Sequence, residues 1–343
     1  MARELGNVLY VLTQGAVLHA EHDTVRVEVE GEMLLRAPLL RLDGIVVIGR
    51  VTVTPFLIHR CAEDGRSVTW LDRRGRYRGR LETLCRGNVL LRHAQHACAE
   101  DSCRTVNIAR EMVAAKIQNS RQVLLRGARE TDGERAAALG AAAQRLADSL
   151  RSLRSLQDLD AIRGQEGEAA RTYFRSLSHL VSGEARVRGP AGRSRRPPRD
   201  PFNAILSFLY ALLRSECASA AESVGLDPQV GFLHALRPGR PALALDLMEE
   251  LRPVIADRVA LTLINRRELA DSDFDRLPGG AIQLTDNARR KVIAGYQHRK
   301  EQEVTHRLLK QALPLGLVPH VQARLLARHI RGDIPAYPPF LYR

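Results

Sequence analysis

An amphipathic β-strand is encoded in residues 24–30, TVRVEVE, where apolar and polar side chains strictly alternate. A period of two residues is typical of a strand that buries one face and exposes the other. Short apolar runs at 8–12, 45–48 and 67–71 predict further strands, and a single short helix is expected at 54–62. The first 82 residues therefore read as a small, sandwich-like β-sheet domain.

The character of the sequence changes after about residue 88. Ala, Leu, Arg and Glu become frequent, and the spacing of apolar residues indicates helices at 107–129 and 133–159, a third beginning near Glu166 and a fourth near Pro201. We predict an α+β protein of two domains, with an N-terminal β domain at 1–82 and a larger, all-α C-terminal domain at 89–343. A chain of 343 residues is long enough for two cores.

The composition favours an anionic partner. The formal net charge is +13, and an excess this large is common in proteins that bind nucleic acid. Five scattered cysteines suggest reduced thiols rather than a disulfide framework. The sequence shows no apolar leader and no window of membrane-spanning length, so we expect a cytoplasmic protein without a membrane partner.

Glu166 lies on a helical face that is otherwise apolar. Residues 169, 170, 173 and 177 share that face and are Ala, Ala, Tyr and Leu. A carboxylate directed into such a face has to be paired, protonated or metal-bound, because an isolated buried charge is costly. A first-turn Glu that interacts with the helix dipole is an equally good explanation from the sequence.

An acidic cluster follows in the stretch LALDLMEELRP, residues 243–253. Asp246, Glu249 and Glu250 are spaced at i, i+3 and i+4 and so share one helical face, while Arg252 can neutralise one of them. The ordinary interpretation is a solvated acidic face. His234 lies a few residues before this helix, and an imidazole can complete a carboxylate site or move a proton. Carboxylates with one His in a basic chain suggest a divalent metal beside a polyanion.

An arginine segment separates the two halves of this set. It contains Arg186, Arg188, Arg193, Arg195, Arg196 and Arg199, interrupted by glycines and prolines. Such a segment cannot be helical throughout, and it suits either DNA backbone contacts or a plain charged linker. The helix that follows is apolar apart from one stripe that includes Asn203 and Tyr210. That stripe predicts either a wet cleft or a buried hydrogen-bond network.

Six ordered motifs resemble the integrase family of CRISPR spacer acquisition. They are QEGEAARTYF at 165–174, RRPPRDPFNAILSFLY at 195–210, GLDP at 225–228, GFLH at 231–234, LALDLMEELRP at 243–253 and LINR at 263–266. Their order and spacing are jointly specific. The β-then-helical layout also matches the family, so the resemblance covers essentially the whole chain.

The resemblance implies a metal-dependent DNA integrase and endonuclease. Its metal ligands fall on Glu166, His234 and Glu249, with Asp246 as a close partner in the catalytic set and Glu250 as the less favoured candidate. The implied cofactor is Mg²⁺ or Mn²⁺. The implied DNA contacts are Arg186, Arg188, Arg195, Arg196, Asn203, Tyr210 and Arg252.

The resemblance also implies partners. Members of the family act as homodimers with a small CRISPR-associated subunit, on double-stranded and branched DNA. We expect the β domain to build the homodimer. Two alternatives stay open from the sequence: a repair nuclease for branched DNA, and a non-catalytic, basic nucleic-acid-binding scaffold.

Overall fold

A computed structural model describes residues 7–73, 77–81, 89–183, 185 and 187–342. The chain divides into two compact units, residues 1–85 and 86–343. The first unit is built mainly of strands and the second mainly of helices, which confirms the predicted mixed class of β domain followed by a larger helical part.

The first unit contains two four-stranded sheets, ordered β1-β5-β7-β8 and β4-β3-β2-β6. Parallel pairs join β1 to β5, β5 to β7 and β2 to β6, and the other neighbours are antiparallel. The elements are β1 Asn7–Val11, β2 Val17–Glu21, β3 Thr24–Val29, β4 Glu32–Pro38, β5 Leu42–Ile48, β6 Thr52–Val53, α1 Pro55–Glu63, β7 Ser67–Leu71 and β8 Tyr77–Arg80.

A single apolar core serves both sheets and α1. It takes Leu18 and Val25 from one sheet, Ile45 and Val68 from the other, and Leu57 from the helix, all fully buried. The alternation at 24–30 is confirmed, because Val25 and Val27 of β3 point into this core while Arg26 and Glu28 are only partly buried.

The second unit consists mainly of nine helices among the residues that are described. They are α2 Val89–Glu100, α3 Ser102–Arg129, α4 Gly133–Leu153, α5 Leu159–Ser176, α6 Pro201–Ser223, α7 Ala242–Glu249, α8 Arg258–Asn265, α9 Asp286–Glu301 and α10 Val318–Ile330. A π-helical turn, Arg252–Asp257, connects α7 to α8. Helix α3 packs against α4, α5 and α7, and α6 packs against α7 and α10.

This unit is not purely helical, contrary to the all-α prediction. Two short antiparallel hairpins interrupt it, formed by β9 Phe274–Arg276 with β10 Ile282–Leu284 and by β11 Glu303–His306 with β12 Gln311–Pro314. Strands of three or four residues are too short to produce a clear alternating pattern, which explains why the sequence did not reveal them.

Helix α6 begins as the sequence predicts, with Asp200 accepting a hydrogen bond from the Asn203 backbone N–H at 2.8 Å and Pro201 in the first turn. Contrary to our expectation, this helix is long and apolar enough to cross a membrane by length and composition. However, 61% of its apolar window is buried inside the protein, which is typical of a core helix.

Candidate metal centre

Three side chains from distant parts of the sequence converge in the helical unit. Glu166 comes from the middle of α5, His234 from the loop before α7, and Glu249 from the last turn of α7. The Lys116 ammonium of α3 contacts both Glu166 and Glu249, and His234 Nε2 lies 3.8 Å from Glu249 Oε1. The predicted ligand set is therefore one cluster in space.

The position of Glu166 removes one of its two interpretations. Helix α5 begins at Leu159, where Asp158 caps it by accepting from the Ala161 N–H, and not near Glu166 as predicted. Glu166 therefore lies in the interior of the helix, where the dipole of the N-terminal turn no longer acts on it. Its partner is Lys116 instead.

Asp246 organises the loop that carries His234. Its side chain is fully buried, and its oxygens accept hydrogen bonds from the backbone N–H groups of Phe232, Leu233 and His234 at 2.6, 3.0 and 3.0 Å. Its Oδ1 also lies 2.6 Å from His234 Nδ1. Because a carboxylate only accepts, Nδ1 donates to Asp246, and this contact turns Nε2 toward Glu249.

Gly231 allows this arrangement by its lack of a side chain. A Cβ at this position would lie 2.6 Å from Asp246 Oδ2 and 2.7 Å from the Ala242 carbonyl carbon. Both distances are shorter than van der Waals contact, so the GFLH loop approaches α7 only because residue 231 is glycine.

Glu249 is almost completely buried yet remains ionised. Burial alone would raise the pKa of this carboxyl, but Arg252, Lys116 and His234 lower it to about 2. Arg252 Nη1 forms an ion pair with Oε1 at 3.0 Å, so the predicted neutralisation of an acid by Arg252 is observed. Asp246, Glu249 and Glu250 are all buried, and the interpretation of a solvated acidic face is therefore wrong.

Glu250 points away from this cluster and holds the C-terminal segment. It accepts hydrogen bonds from the Tyr337 hydroxyl, from Gln322 Nε2 at 3.0 Å and from the Phe340 N–H at 2.6 Å. Burial raises the pKa of Glu250 to about 8. Its neighbour Asn119 also donates to the Phe340 carbonyl at 2.9 Å. These contacts give Glu250 a structural role and separate it from Glu249.

The donor set fits a hard divalent cation. Two carboxylates and one imidazole, with its Nε2 on the side of Glu249, are ligand types that Mg²⁺ and Mn²⁺ accept. Glu249 Oε2 is buried and accepts no hydrogen bond of normal geometry, although the Lys116 ammonium lies 2.6 Å away. Among the described residues no three His, Cys, Asp or Glu are already drawn together around an ion position. Glu166 and Glu249 are kept apart because the Lys116 ammonium lies between their carboxylates.

A second buried network adjoins Arg252. The Tyr210 hydroxyl donates to Asp257 Oδ1 at 2.7 Å, and the guanidinium carbons of Arg193 and Arg252 lie 5.3 and 4.9 Å from the centre of the Tyr210 ring. Burial raises the pKa of Asp257 to about 6. Tyr210 therefore positions two arginines by cation–π contact, a role that the sequence did not reveal.

Asn203 is completely buried, which contradicts its predicted role as a DNA contact. Its side chain donates to the Gly192 carbonyl at 2.8 Å and accepts from Arg193 Nη1 at 2.7 Å. At Asn203 the polar stripe of α6 is therefore part of a buried hydrogen-bond network, which holds the arginine segment against the helix.

The arginine segment is irregular, as predicted, and presents Arg188, Arg195 and Arg196 to solvent. Arg186 lies outside the described residues. Three further arginines lie near the His234 loop and were missed by the sequence reasoning. Arg163 donates to the Leu233 carbonyl at 2.7 Å. Burial lowers the pKa of Arg240, and the nearby charges of Arg237, Arg163 and Arg196 lower it further. Their separation in sequence hides this basic surface.

Comparison with known proteins identifies relatives over the full length. Residues 9–298 match the family described as CRISPR associated protein Cas1. The chain is 53% identical over 338 residues to CRISPR-associated endonuclease Cas1 1 of Moorella thermoacetica, covering 98% of each protein. It is 48% identical to CRISPR-associated endonuclease Cas1 2 of Rhodospirillum rubrum, covering 99% of this chain and 100% of the relative.

Solved structures share the fold at lower sequence identity. A CAS1 protein from Thermotoga maritima superposes with a TM-score of 0.82 at 22% identity, covering 98% of this chain and 99% of that one. A casposase bound to integration product gives 0.83 at 24% identity, over 98% and 94%. A chain of a Cas6-RT-Cas1–Cas2 complex gives 0.83 at 24% identity, over 100% of this chain and 37% of that one.

Proposed function

The chain belongs to the Cas1 family of CRISPR-associated proteins, whose close relatives are named endonucleases, and we propose that it is a metal-dependent DNA integrase. In this proposal it joins short DNA segments to a CRISPR repeat array by transesterification. The 3′-OH of the incoming DNA attacks a phosphodiester bond of the repeat, and the 3′-oxygen of the cut strand leaves.

One observation carries the proposal. Glu166, His234 and Glu249 are separated by up to 83 residues in sequence, yet all three meet at Lys116 or at one another. Bringing two carboxylates and an imidazole together in a core costs free energy, because these groups lose their hydration. Such a cluster is therefore more typical of a catalytic site than of a structural core.

Glu166, His234 Nε2 and Glu249 would hold Mg²⁺ or Mn²⁺, which polarises the scissile phosphate and stabilises the leaving oxygen when it is bound. The residues around them prepare the site. Asp246 fixes the tautomer and direction of His234, and Arg252 balances part of the charge of Glu249. A buried site also excludes water that would compete with the attacking hydroxyl.

The surrounding arginines would hold the DNA backbone. Arg188, Arg195 and Arg196 are exposed on the irregular segment, and Arg237 is exposed on the His234 loop. Arginine binds phosphate oxygens through two parallel N–H donors, so exposed arginines beside a phosphodiester site suit both strands of an integration substrate.

Partners follow from the same proposal. We expect a homodimer that works with a small CRISPR-associated subunit in the cytoplasm on double-stranded and branched DNA. The fold that such an assembly needs is present, because this chain shares it with a chain of a solved Cas6-RT-Cas1–Cas2 complex.

An integration assay tests this function. A short labelled duplex is incubated with a supercoiled plasmid that carries the repeat, with the partner subunit and with Mn²⁺. We expect covalent joining that is lost when the metal is chelated and when the 3′-OH is replaced by 3′-H. Joining that persists with 3′-H ends would contradict attack by the 3′-OH. Cleavage of branched DNA without joining, and without any need for the repeat or the partner, would favour a repair nuclease. Binding without any chemistry would favour the scaffold.

A further inference from the structure

The ammonium of Lys116 occupies a position that nothing in the sequence predicted. Lys116 lies in the middle of α3, and its side chain is only 9% exposed. Its Nζ donates a hydrogen bond to Glu166 Oε1 and lies 2.6 Å from Glu249 Oε2. A single positive charge therefore bridges the two carboxylates that the proposed function assigns to the metal.

The charges around the site explain why a cation belongs there. The carboxylates of Glu166 and Glu249 face the side chains of Lys116 and Arg252, whereas Asp246 pairs with His234. Without a bridging cation the two ligand carboxylates would repel each other in a medium of low dielectric constant. Lys116 thus stabilises the site when no metal is bound.

The two cations differ in how firmly they are held. Arg252 is partly buried, forms an ion pair with Glu249 Oε1 at 3.0 Å and lies over the Tyr210 ring, so it is held from two sides. Lys116 reaches the carboxylates through a flexible four-carbon chain that ends in a compact charge. Lys116 makes its ion pairs with the two carboxylates alone, whereas Arg252 has the Tyr210 ring as a further contact.

The use of lysine at this position is itself informative. The chain has 52 basic residues, and only four of them are lysines, at 116, 291, 300 and 310. In a sequence that uses arginine almost everywhere, a lysine between two carboxylates indicates a need for a small charge. A guanidinium would hold both carboxylates with several directed bonds.

We propose that Lys116 is an internal counter-cation that bridges the two ligand carboxylates until a divalent ion binds and displaces it. This inference rests on the proposed function. The Nζ atom contacts Glu166 Oε1 and Glu249 Oε2, which belong to two of the proposed ligand residues, so the ammonium and a metal ion would compete for the same carboxylates. Lys116 therefore lowers the affinity for metal while it holds these carboxylates together.

The test measures metal binding, not catalysis. The full-length protein is titrated with Mn²⁺ by calorimetry in the absence of DNA, and its thermal unfolding is followed without metal. Lys116→Met should bind Mn²⁺ at least about tenfold more tightly than wild type, because the competing charge is gone, and should unfold several degrees lower without metal. Lys300→Met is the matched control, since Lys300 is buried and pairs with Glu216 at 2.6 Å. It should lose stability with unchanged Mn²⁺ affinity.

The inference is overturned if Lys116→Met binds Mn²⁺ as tightly as wild type or more weakly. A second variant, Lys116→Arg, keeps the positive charge and is measured if Lys116→Met does not fold. We expect it to bind Mn²⁺ more weakly than wild type, and tighter binding would also overturn the inference. Glu249→Gln reports separately on the metal site: if its Mn²⁺ affinity equals that of wild type, the proposed function itself fails.

Discussion

At the scale of single residues, Glu249 and Glu250 are adjacent carboxylates with opposite environments. Glu249 faces Lys116 and Arg252 and remains ionised, whereas Glu250 faces Tyr337, Gln322 and the Phe340 backbone, where burial raises its pKa to about 8. The difference arises because the two side chains leave the end of α7 in different directions. One carboxylate is available for chemistry, and the other anchors the C-terminal segment.

The pH dependence of stability reports on Glu250. Its folded pKa lies above its ordinary value of 4.5, so the folded state binds more protons. The contribution of Glu250 to stability is therefore fully present below about pH 4.5 and is lost as the pH rises toward 8, by on the order of 1.4 kcal/mol per pH unit at most. Glu250→Gln should remove this part of the decline in urea unfolding at pH 5 to 8. An unchanged decline would show that Glu250 ionises normally in the folded protein.

A methyl group at residue 231 tests the close approach of the His234 loop to α7. Gly231→Ala should displace Asp246, cost about 1–3 kcal/mol of stability through overpacking and reduce strand transfer at least tenfold, although no proposed ligand changes. Gly164→Ala is the control, because a Cβ there meets nothing within 4 Å. If Gly231→Ala behaves like Gly164→Ala, the loop does not depend on this contact.

At the scale of elements, the sequence identified three side chains that converge in the structure, but not the groups that surround them. Glu166 was singled out because a lone carboxylate interrupts an apolar helical stripe, and that signal is local. The contact of Lys116 with Glu166 could not be found in this way, because 50 residues separate the two in sequence. The residues next to Lys116 in α3 form no motif that would mark it. The start of α5 was misplaced by seven residues, since the capping residue Asp158 follows the previous helix closely.

The arginine segment between α5 and α6 gives a prediction for DNA binding. Replacing Arg195 and Arg196 by Ala should weaken binding to all DNA sequences alike and flatten its salt dependence, by roughly one unit of slope per lost phosphate contact. The exposed Arg324 and Arg328 of α10 provide a control pair outside the segment. Fluorescence anisotropy at several salt concentrations measures both. An effect restricted to one sequence, or an equal effect of the control pair, would contradict a backbone contact.

At the scale of the whole molecule, the β unit carries none of the proposed chemistry. Its strand β4 lies at the edge of the sheet that the described residues form, and it exposes Met33, Leu34 and Leu35 to solvent. An apolar edge strand is a surface on which a second chain can add. This supports the expectation from the sequence that the β unit forms the homodimer.

Charges on that edge test the assembly. Met33→Glu combined with Leu35→Glu should convert the dimer to a monomer in sedimentation velocity, because two carboxylates would have to be buried in the interface. Leu309→Glu, at an exposed apolar residue of the helical unit, should leave the dimer intact. A double variant that sediments like wild type would place the interface elsewhere.

The central claim is that Glu166, His234 and Glu249 form the metal centre and that Glu250 does not belong to it. It is tested most directly by comparing strand transfer of Glu249→Gln and Glu250→Gln, two isosteric changes at adjacent positions. We expect Glu249→Gln to lose strand transfer by at least about a thousandfold while still binding DNA, and Glu250→Gln to keep activity close to wild type. Near-normal strand transfer by Glu249→Gln, or its loss in a well-folded Glu250→Gln, would contradict this assignment.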